Sequence, residues 1–273
     1  MRGDEIDAAS FTGVRLVAGA IALIVISAAA KAFASAPGRE GDTSGIGVSP
    51  VRRTHVFGGS WFSAFFLFAY AICFSLAYLD LTAGTGALIL FGSVQMTMIV
   101  VSLVRGERPS LLEWLGLALA IGGLVYLVFP GLASPPLISS LLMAAAGAAW
   151  GFYTLRGKGS SDPLGDTTGN FVRSVPMIAI AATPFLSQVH LTANGILLAV
   201  LSGAVTSGIG YTVWYAALKH HTATRAAVLQ LAVPVIAAIV GIIFLAETAN
   251  VRLIIAAAMI IGGIGLTIFS RQK

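Results

Sequence analysis

Gln95 and Gln230 stand out because each places a side-chain amide inside an otherwise apolar run. An unpartnered amide in such surroundings is costly, so each must bond a neighbouring helix or a polar ligand. Arg15 and Arg173 open two further apolar runs, where a guanidinium either reaches back toward water or attracts an anionic group. Trp150 and Tyr153 close one run. Ser207, Tyr211 and Trp214 sit in another, where Tyr211 and Trp214, three apart, share a helical face with Ser207. Pro234 lacks the N–H that would bond the carbonyl of Gln230, which marks a hinge in that helix. Glu107 and Glu247 lie at the ends of their runs, beside helix starts whose positive partial charge suits a carboxylate cap. No Walker A, GxSxG or HExxH pattern occurs. His220 and His221 are adjacent and would point about 100° apart on a helix, a poor start for a metal site.

The elements that carry these residues follow from composition. Of 273 residues 57% are apolar and 10% charged, and the mean hydropathy is +0.92. The apolar residues gather in runs of roughly twenty, enough to cross a ~30 Å hydrocarbon core. Inside lipid every backbone polar group needs an internal partner, and continuous rather than alternating runs exclude a barrel. The reading is an all-α polytopic transmembrane bundle of about nine spans: 12–30, 57–78, 82–104, 110–129, 136–155, 168–187, 194–216, 223–245 and 250–270. The longest connection, 33–55, is rich in Gly, Ser and charge. In this setting Trp150, Tyr153, Tyr211 and Trp214 either line a solute cavity or anchor their helices at the lipid–water interface.

Charge gives the orientation. With the first span starting outside, twelve Lys and Arg fall in inside segments (Lys31, Arg39, Arg52, Arg53, Arg105, Arg108, Arg156, Lys158, Lys219, Arg225, Arg271 and Lys273). Only Arg2 and Arg252 fall outside, so the C-terminus is placed in the cytoplasm of an inner-membrane protein. The net charge of +5 is dispersed over short loops rather than gathered into a nucleic-acid surface. Cys73 is the single cysteine, so no intrachain disulfide forms.

The chain repeats itself at an offset of 140 residues. That offset pairs Ala77 with Ala217, Thr82 with Thr222, Ala83 with Ala223, Glu107 with Glu247, Gly122–Gly123 with Gly262–Gly263, and Phe129 with Phe269. Upstream, FTGVRLVAG matches GNFVRSVPM at an offset of 158 and pairs Arg15 with Arg173. The charge-derived topology puts Thr82 outside and Thr222 inside, so the repeats 1–130 and 131–273 are inverted. The second holds five spans and the first four, and the span wanting is the partner of 136–155. Either the chain lacks a first helix or its start methionine lies downstream of the true one, and the second is the favoured expectation.

On these residues the sequence resembles the EamA-type carriers of the drug/metabolite transporter superfamily. The resemblance rests on FTGVRLVAGAIAL, LDLTAGTGALI, HHTATRAAVLQLAVPV, the Glu-plus-GG pattern of both halves, and AAAGAAWGFYTLRGK. It implies a 5+5 plan of inverted helical repeats, no cofactor, and a secondary carrier that exports small metabolites or amino acids by alternating access. Gln95, Trp150, Tyr153, Ser207, Tyr211, Trp214, Gln230, Arg15 and Arg173 are the substrate-binding candidates, with Pro234 as the hinge. The expected partners are a small-molecule solute and the lipid bilayer. Gly147–Gly151, Ala118–Gly122 and Ala258–Gly262 are small-xxx-small pairs that serve either internal packing or a homodimer. Two other readings stand beside the carrier: a lipid-modifying membrane enzyme, and a truncated relic without transport.

Overall fold

Side-chain caps fix where most of the helices begin. The computed structural model describes residues 5–34, 57–129, 135–218, 221–245 and 251–269. Arg2, Arg39, Arg52, Arg53, His55, Lys219, His220, Glu247, Arg271 and Lys273 lie outside the described residues, as does most of the 33–55 connection. Helix α1 (Ala8–Ala34) starts where Asp7 Oδ1 accepts the Ser10 N–H at 2.9 Å. Ser60 does the same for α2 (Trp61–Ala77) and Thr82 for α3 (Ala83–Val104). Helix α4 (Leu111–Val128) opens on a reciprocal capping box between Ser110 and Glu113. Helix α5 covers Leu137–Gly157. Such caps contribute about 1 kcal/mol each.

Three of the remaining helices depart from the expected spans for local reasons. The span expected at 168–187 is α6, Pro163–Ala181, because Asp162 caps it and Pro163 suits a first helical turn. Its tail, Thr183–Gln188, tightens into a 3₁₀ turn at Pro184. Helix α7 (Ala193–Leu218) is continuous, but its middle, Ser202–Ile209, is π-helical. The span expected at 223–245 breaks in two: α8 (Ala223–Gln230) and α9 (Ala232–Leu245). At the break the Leu231 N–H bonds the Val228 carbonyl, and Pro234 has no N–H for the Gln230 carbonyl. Helix α10 is Val251–Phe269.

The described residues contain no strand, only an isolated antiparallel bridge between Ile6 and Leu191. Six helices (α1, α3, α4, α5, α7 and α10) are long and apolar enough to cross a membrane, by length and composition. Helix α2 and the segment Ala223–Ala237 are apolar but shorter. Large apolar side chains such as Ile21, Val25, Phe62 and Ile243 are more than half exposed, the surface that lipid contact requires.

The chain forms two compact units, each drawing on both halves of the sequence. One holds α1, the start of α2, α6 and α7. The other holds the rest of α2 together with α3, α4, α5, α8, α9 and α10.

In the first unit α1 runs antiparallel to α6. Gly19 lies against the Phe171 ring, and Ser27 and Thr168 share a hydrogen bond of 2.9 Å. The turn before α2 is clipped onto α6 by three side chains at helical spacing. Asp166 accepts the Gly59 N–H at 2.7 Å, Asn170 accepts the Ser60 N–H at 3.0 Å, and Arg173 donates to the Gly58 carbonyl at 2.6 Å. Gly59 has φ +72°, a conformation that other residues rarely adopt. A similar clip joins α1 to the segment before α7, where Asp7 Oδ2 accepts the His190 N–H at 3.0 Å. Burial pushes the Asp7 carboxyl upward, but the N–H groups of Ser10 and His190 outweigh it and hold the group below the usual carboxylate range.

In the second unit α4 and α10 touch backbone to backbone. A Cβ on Gly116 would lie 2.5 Å from the Gly263 carbonyl, and one on Gly123 would lie 3.0 Å from that of Ala256. The close approach therefore runs through Gly116, Gly123 and Gly263, whereas Gly122 and Gly262 make only ordinary contacts with Met259 and Leu119. Gly147 and Gly151 of α5 rest on Leu90, Ser93 and Thr97 of α3, so that pair serves internal packing. The start of α8 is held from three sides. Glu107 accepts the Ala223 N–H at 3.3 Å, Ser102 meets Thr224 at 3.3 Å, and Glu113 pairs with Arg225 at 3.0 Å.

Gly263→Ala is expected to lower the stability of the detergent-solubilised protein by about 1–3 kcal/mol. Gly265→Ala, which has open space at its Cβ, leaves it unchanged or slightly raised. Thermal melting of the pair checks this. Glu113→Gln removes the carboxylate of a buried pair whose side chains are only 8% and 14% exposed. The expected loss is about 3–5 kcal/mol, largely recovered in the double variant Glu113→Gln, Arg225→Met.

Candidate functional site

The break after Gln230 is where polar side chains of the second unit converge. Helix α8 is only eight residues long, so its last side chain, Gln230, is carried into the protein from a firmly capped start. Gln230 is 5% exposed. Its Oε1 accepts the indole N–H of Trp150, and its Nε2 donates to Met98 Sδ at 3.1 Å and to the Ala226 carbonyl at 3.5 Å. Gln95, from α3, donates through Nε2 to the Ala227 carbonyl at 2.6 Å. Its Oε1 is buried and has no hydrogen-bond partner among the described residues. A buried acceptor left in this state costs about 1–3 kcal/mol, unless a donor arrives.

Aromatic rings wall this cluster. Tyr70 lies 5.0 Å from Trp150 between ring centroids, Trp150 lies 5.8 Å from Tyr153, and Tyr70 lies 5.6 Å from Phe74. Tyr153 is buried rather than anchored at an exposed interface. The structure thus gathers four candidates, Gln95, Trp150, Tyr153 and Gln230, around one centre. It adds Tyr70 and Met98, which sequence reasoning missed. Tyr70 is one of many aromatics in α2, and only its place four residues before Phe74 could have singled it out. Pro234 sits in the first turn of α9, one turn past Gln230.

The first unit assembles a different set. Arg15 is 8% exposed and is held inside the protein rather than extended toward headgroups. Its Nε donates to Ser207 Oγ at 3.0 Å, and its second terminal nitrogen donates to Tyr211 Oη at 3.1 Å. The two hydroxyls share a face of α7 beside the π-helical stretch, a feature that often accompanies function. Phe171 stacks near Tyr211 at 5.9 Å. Trp214 lies one turn further along, and its Nε1 is buried without a partner among the described residues. Arg173, the sequence mate of Arg15, is placed elsewhere, in the clip on Gly58.

One centre thus offers amides and aromatic faces, the other a cation with hydroxyls and an indole N–H. Neither gathers the nucleophile, base and orienting group of hydrolytic catalysis.

The model of the EamA-like transporter family matches residues 137–269. An uncharacterized protein of Pseudomonas aeruginosa is 43% identical over 271 residues, covering 99% of this chain and 88% of that one. An uncharacterized transporter of Archaeoglobus fulgidus is 25% identical over 74% of each chain. The threonine/homoserine exporter RhtA of Salmonella typhimurium is 28% identical over 64% of this chain and 60% of the exporter. A crystal structure superposes with a TM-score of 0.76 at 18% identity, covering all of this chain and 91% of that one, which shows the shared fold. With helices built to cross a membrane and these relatives, the chain belongs to the EamA-like transporter family.

Proposed function

We propose that this membrane transporter is a secondary carrier that exports small metabolites or amino acids by alternating access. The observation that carries the reading is the buried, unpartnered Oε1 of Gln95 beside the Trp150–Gln230 pair at a broken helix. A transported solute supplies the missing donor, and the aromatic walls supply a surface for its apolar part. Pro234 frees the Gln230 carbonyl, and the break at Leu231 lets α9 change its angle to α8. The kinship with a threonine/homoserine exporter makes threonine the first solute to try.

Alternating access by this route needs two repeats, 1–130 and 131–273, in opposite orientation, with α8 and α9 counted as one of nine spans. Several contacts support it. Thr82 and Thr222 cap α3 and α8 with near-identical backbone angles, and their hydroxyls accept from Thr85 and Arg225, which also stand 140 apart. Adding that offset to Gly116 gives Ala256, and subtracting it from Gly263 gives Gly123. The two backbone contacts Gly116–Gly263 and Gly123–Ala256 are therefore exchanged by the repeat, as an antiparallel two-fold demands. In the other unit the 158 offset turns the Gly19–Phe171 contact into Gly13–Met177, and Gly13 meets Ile178, the next residue. Thr224 touches Ser102 at the far end of α3, so Thr222 and Thr82 are separated by most of a helix roughly 33 Å long.

Reconstituted in proteoliposomes, Trp150→Ala and Gln95→Ala are each expected to lower threonine efflux about tenfold while membrane abundance stays normal. Unchanged efflux in both variants removes them from the site. Single cysteines at Thr82 and Thr222, in a Cys73→Ala background, are expected to react with impermeant thiol reagents from opposite sides of the inner membrane. Labelling of both from one side overturns the inversion. A reporter fused after Lys273 is expected to read as cytoplasmic.

A further inference from the structure

We propose that the apolar groove between α1, α6 and α7 holds one acyl chain of a phosphatidylethanolamine molecule, with Asp7 and Glu5 at its mouth attracting the ammonium headgroup. The groove encloses about 500 Å³ within the first unit, a volume typical of small-molecule sites. Its walls include Gly13, Val17 and Ile21 of α1, Ile178 of α6, Phe185 of the 3₁₀ turn and Val200 of α7. Helices α1 and α6 close on each other at Gly19 and Phe171. At Gly13 the wall recedes, and an added Cβ would meet only Ile178 Cγ1, at 3.9 Å.

Depth and polarity point to an amphiphile. On α1 the lining runs from Ala9 to Ile21, which is ~18 Å at ~1.5 Å per residue. One leaflet of a ~30 Å hydrocarbon core is ~15 Å deep. Among the described residues the only polar side chain in the lining is Ser10, at the end where α1 begins. Val17, Ile21, Leu186 and Val200 are more than a third exposed, so the groove opens sideways onto the surrounding hydrocarbon. Left empty, its walls would forfeit their contacts, and water would find no partners inside. A polar metabolite would find no hydrogen bond below Ser10. A lipid chain fills the space, and its headgroup then rests at the polar end.

The mouth selects that headgroup by charge. The two segments that close it, 5–10 and 183–195, carry Glu5, Asp7 and His190 and no Lys or Arg. Ile6 bridges Leu191, and the Glu5 carbonyl accepts the Thr192 N–H at 2.9 Å, so the two segments are held together. Asp7 accepts the N–H groups of Ser10 and His190 at 2.9 and 3.0 Å, which fixes its carboxylate beside the lining. Carboxylates in this position attract an ammonium, which can donate to them, and repel an anionic headgroup. Phosphatidylethanolamine brings that ammonium and phosphatidylglycerol does not.

The test uses the full chain in proteoliposomes that contain phosphatidylethanolamine with a diazirine midway along one acyl chain. After irradiation, peptide mass spectrometry is expected to place the adducts within residues 9–21 and 175–200. Phosphatidylglycerol with the same chain is expected to label these residues at least about threefold less. Gly13→Leu, which fills the groove, is expected to lower the labelling several-fold. Ala179→Phe, from the opposite wall, is expected to do the same and serves if Gly13→Leu does not fold. Glu5→Gln with Asp7→Asn, which keeps an acceptor for the Ser10 N–H, is expected to abolish the difference between the two lipids. Adducts spread evenly over exposed side chains such as Phe62 and Ile243, or labelling indifferent to the filling variants, overturn the proposal. Equal labelling of the unaltered chain by both lipids overturns it as well. Val17→Cys in a Cys73→Ala background is expected to stay monomeric under oxidation, and a disulfide dimer instead gives the groove to a second copy of the chain. None of these measurements reads transport, so the lipid site and the carrier reading fail separately.

Discussion

Hydrocarbon cannot hydrogen-bond, and that constraint shapes every polar position in these helices. Thr12, Thr97, Thr167, Thr168 and Thr267 return their hydroxyls to carbonyls of their own helices. Ser207 and Tyr211 accept from a guanidinium, and Gln230 satisfies both ends of its amide. Against this background Gln95 Oε1, Thr154 Oγ1, Asp162 Oδ2 and Trp214 Nε1 stand apart, buried without a partner among the described residues. Under the carrier reading proposed above, the Gln95 acceptor is the one that a solute's donor completes.

Packing meets the same constraint differently. Lipid is as apolar as leucine, so burying leucines does little to hold membrane helices together, and close backbone approach matters more. Gly116, Gly123 and Gly263 let α4 and α10 meet at van der Waals distance, and Gly19 and Gly203 do the same for α1. The contacts Gly116–Gly263 and Gly123–Ala256 exchange under the 140-residue offset, as the proposed repeat requires. The offset carries Gln95 to Val235 and Gln230 to Leu90, so the amide centre has no counterpart at that spacing.

Much of this was legible in the residues. Run length gave the helices. Glu107 was placed as a cap beside a helix start and does cap α8. The amides Gln95 and Gln230 were found because polarity in an apolar run is conspicuous. Other features hid behind ordinary composition. The clip of Asp166, Asn170 and Arg173 joins residues more than a hundred positions apart, and no local pattern announces it. Arg173 looked like a copy of Arg15 in sequence, yet the two lie in different surroundings. The π-helical turn left no periodic trace, since Gly203, Gly208 and Gly210 permit it without requiring it. Small-residue spacing fell one position away from the true seam, because Gly122 has Ala118 four residues before it while Gly123 has Leu119 and Leu127 at that spacing, and only packing reveals Gly123.

The interleaving of the two units has a consequence for biosynthesis. Helix α1 leaves the ribosome long before α6 and α7, its neighbours in the folded unit. At about 5–20 residues per second, the wait for residue 211 is on the order of ten seconds or more. Through that interval the charge on Arg15 waits for hydroxyls that do not yet exist, eight residues into a 27-residue helix and short of the centre, where the cost reaches roughly 2.5–3.5 kcal/mol. The newborn helix must therefore sit shallow, lean on the insertion machinery, or borrow water, and it takes up its final depth only once Ser207 and Tyr211 have been made.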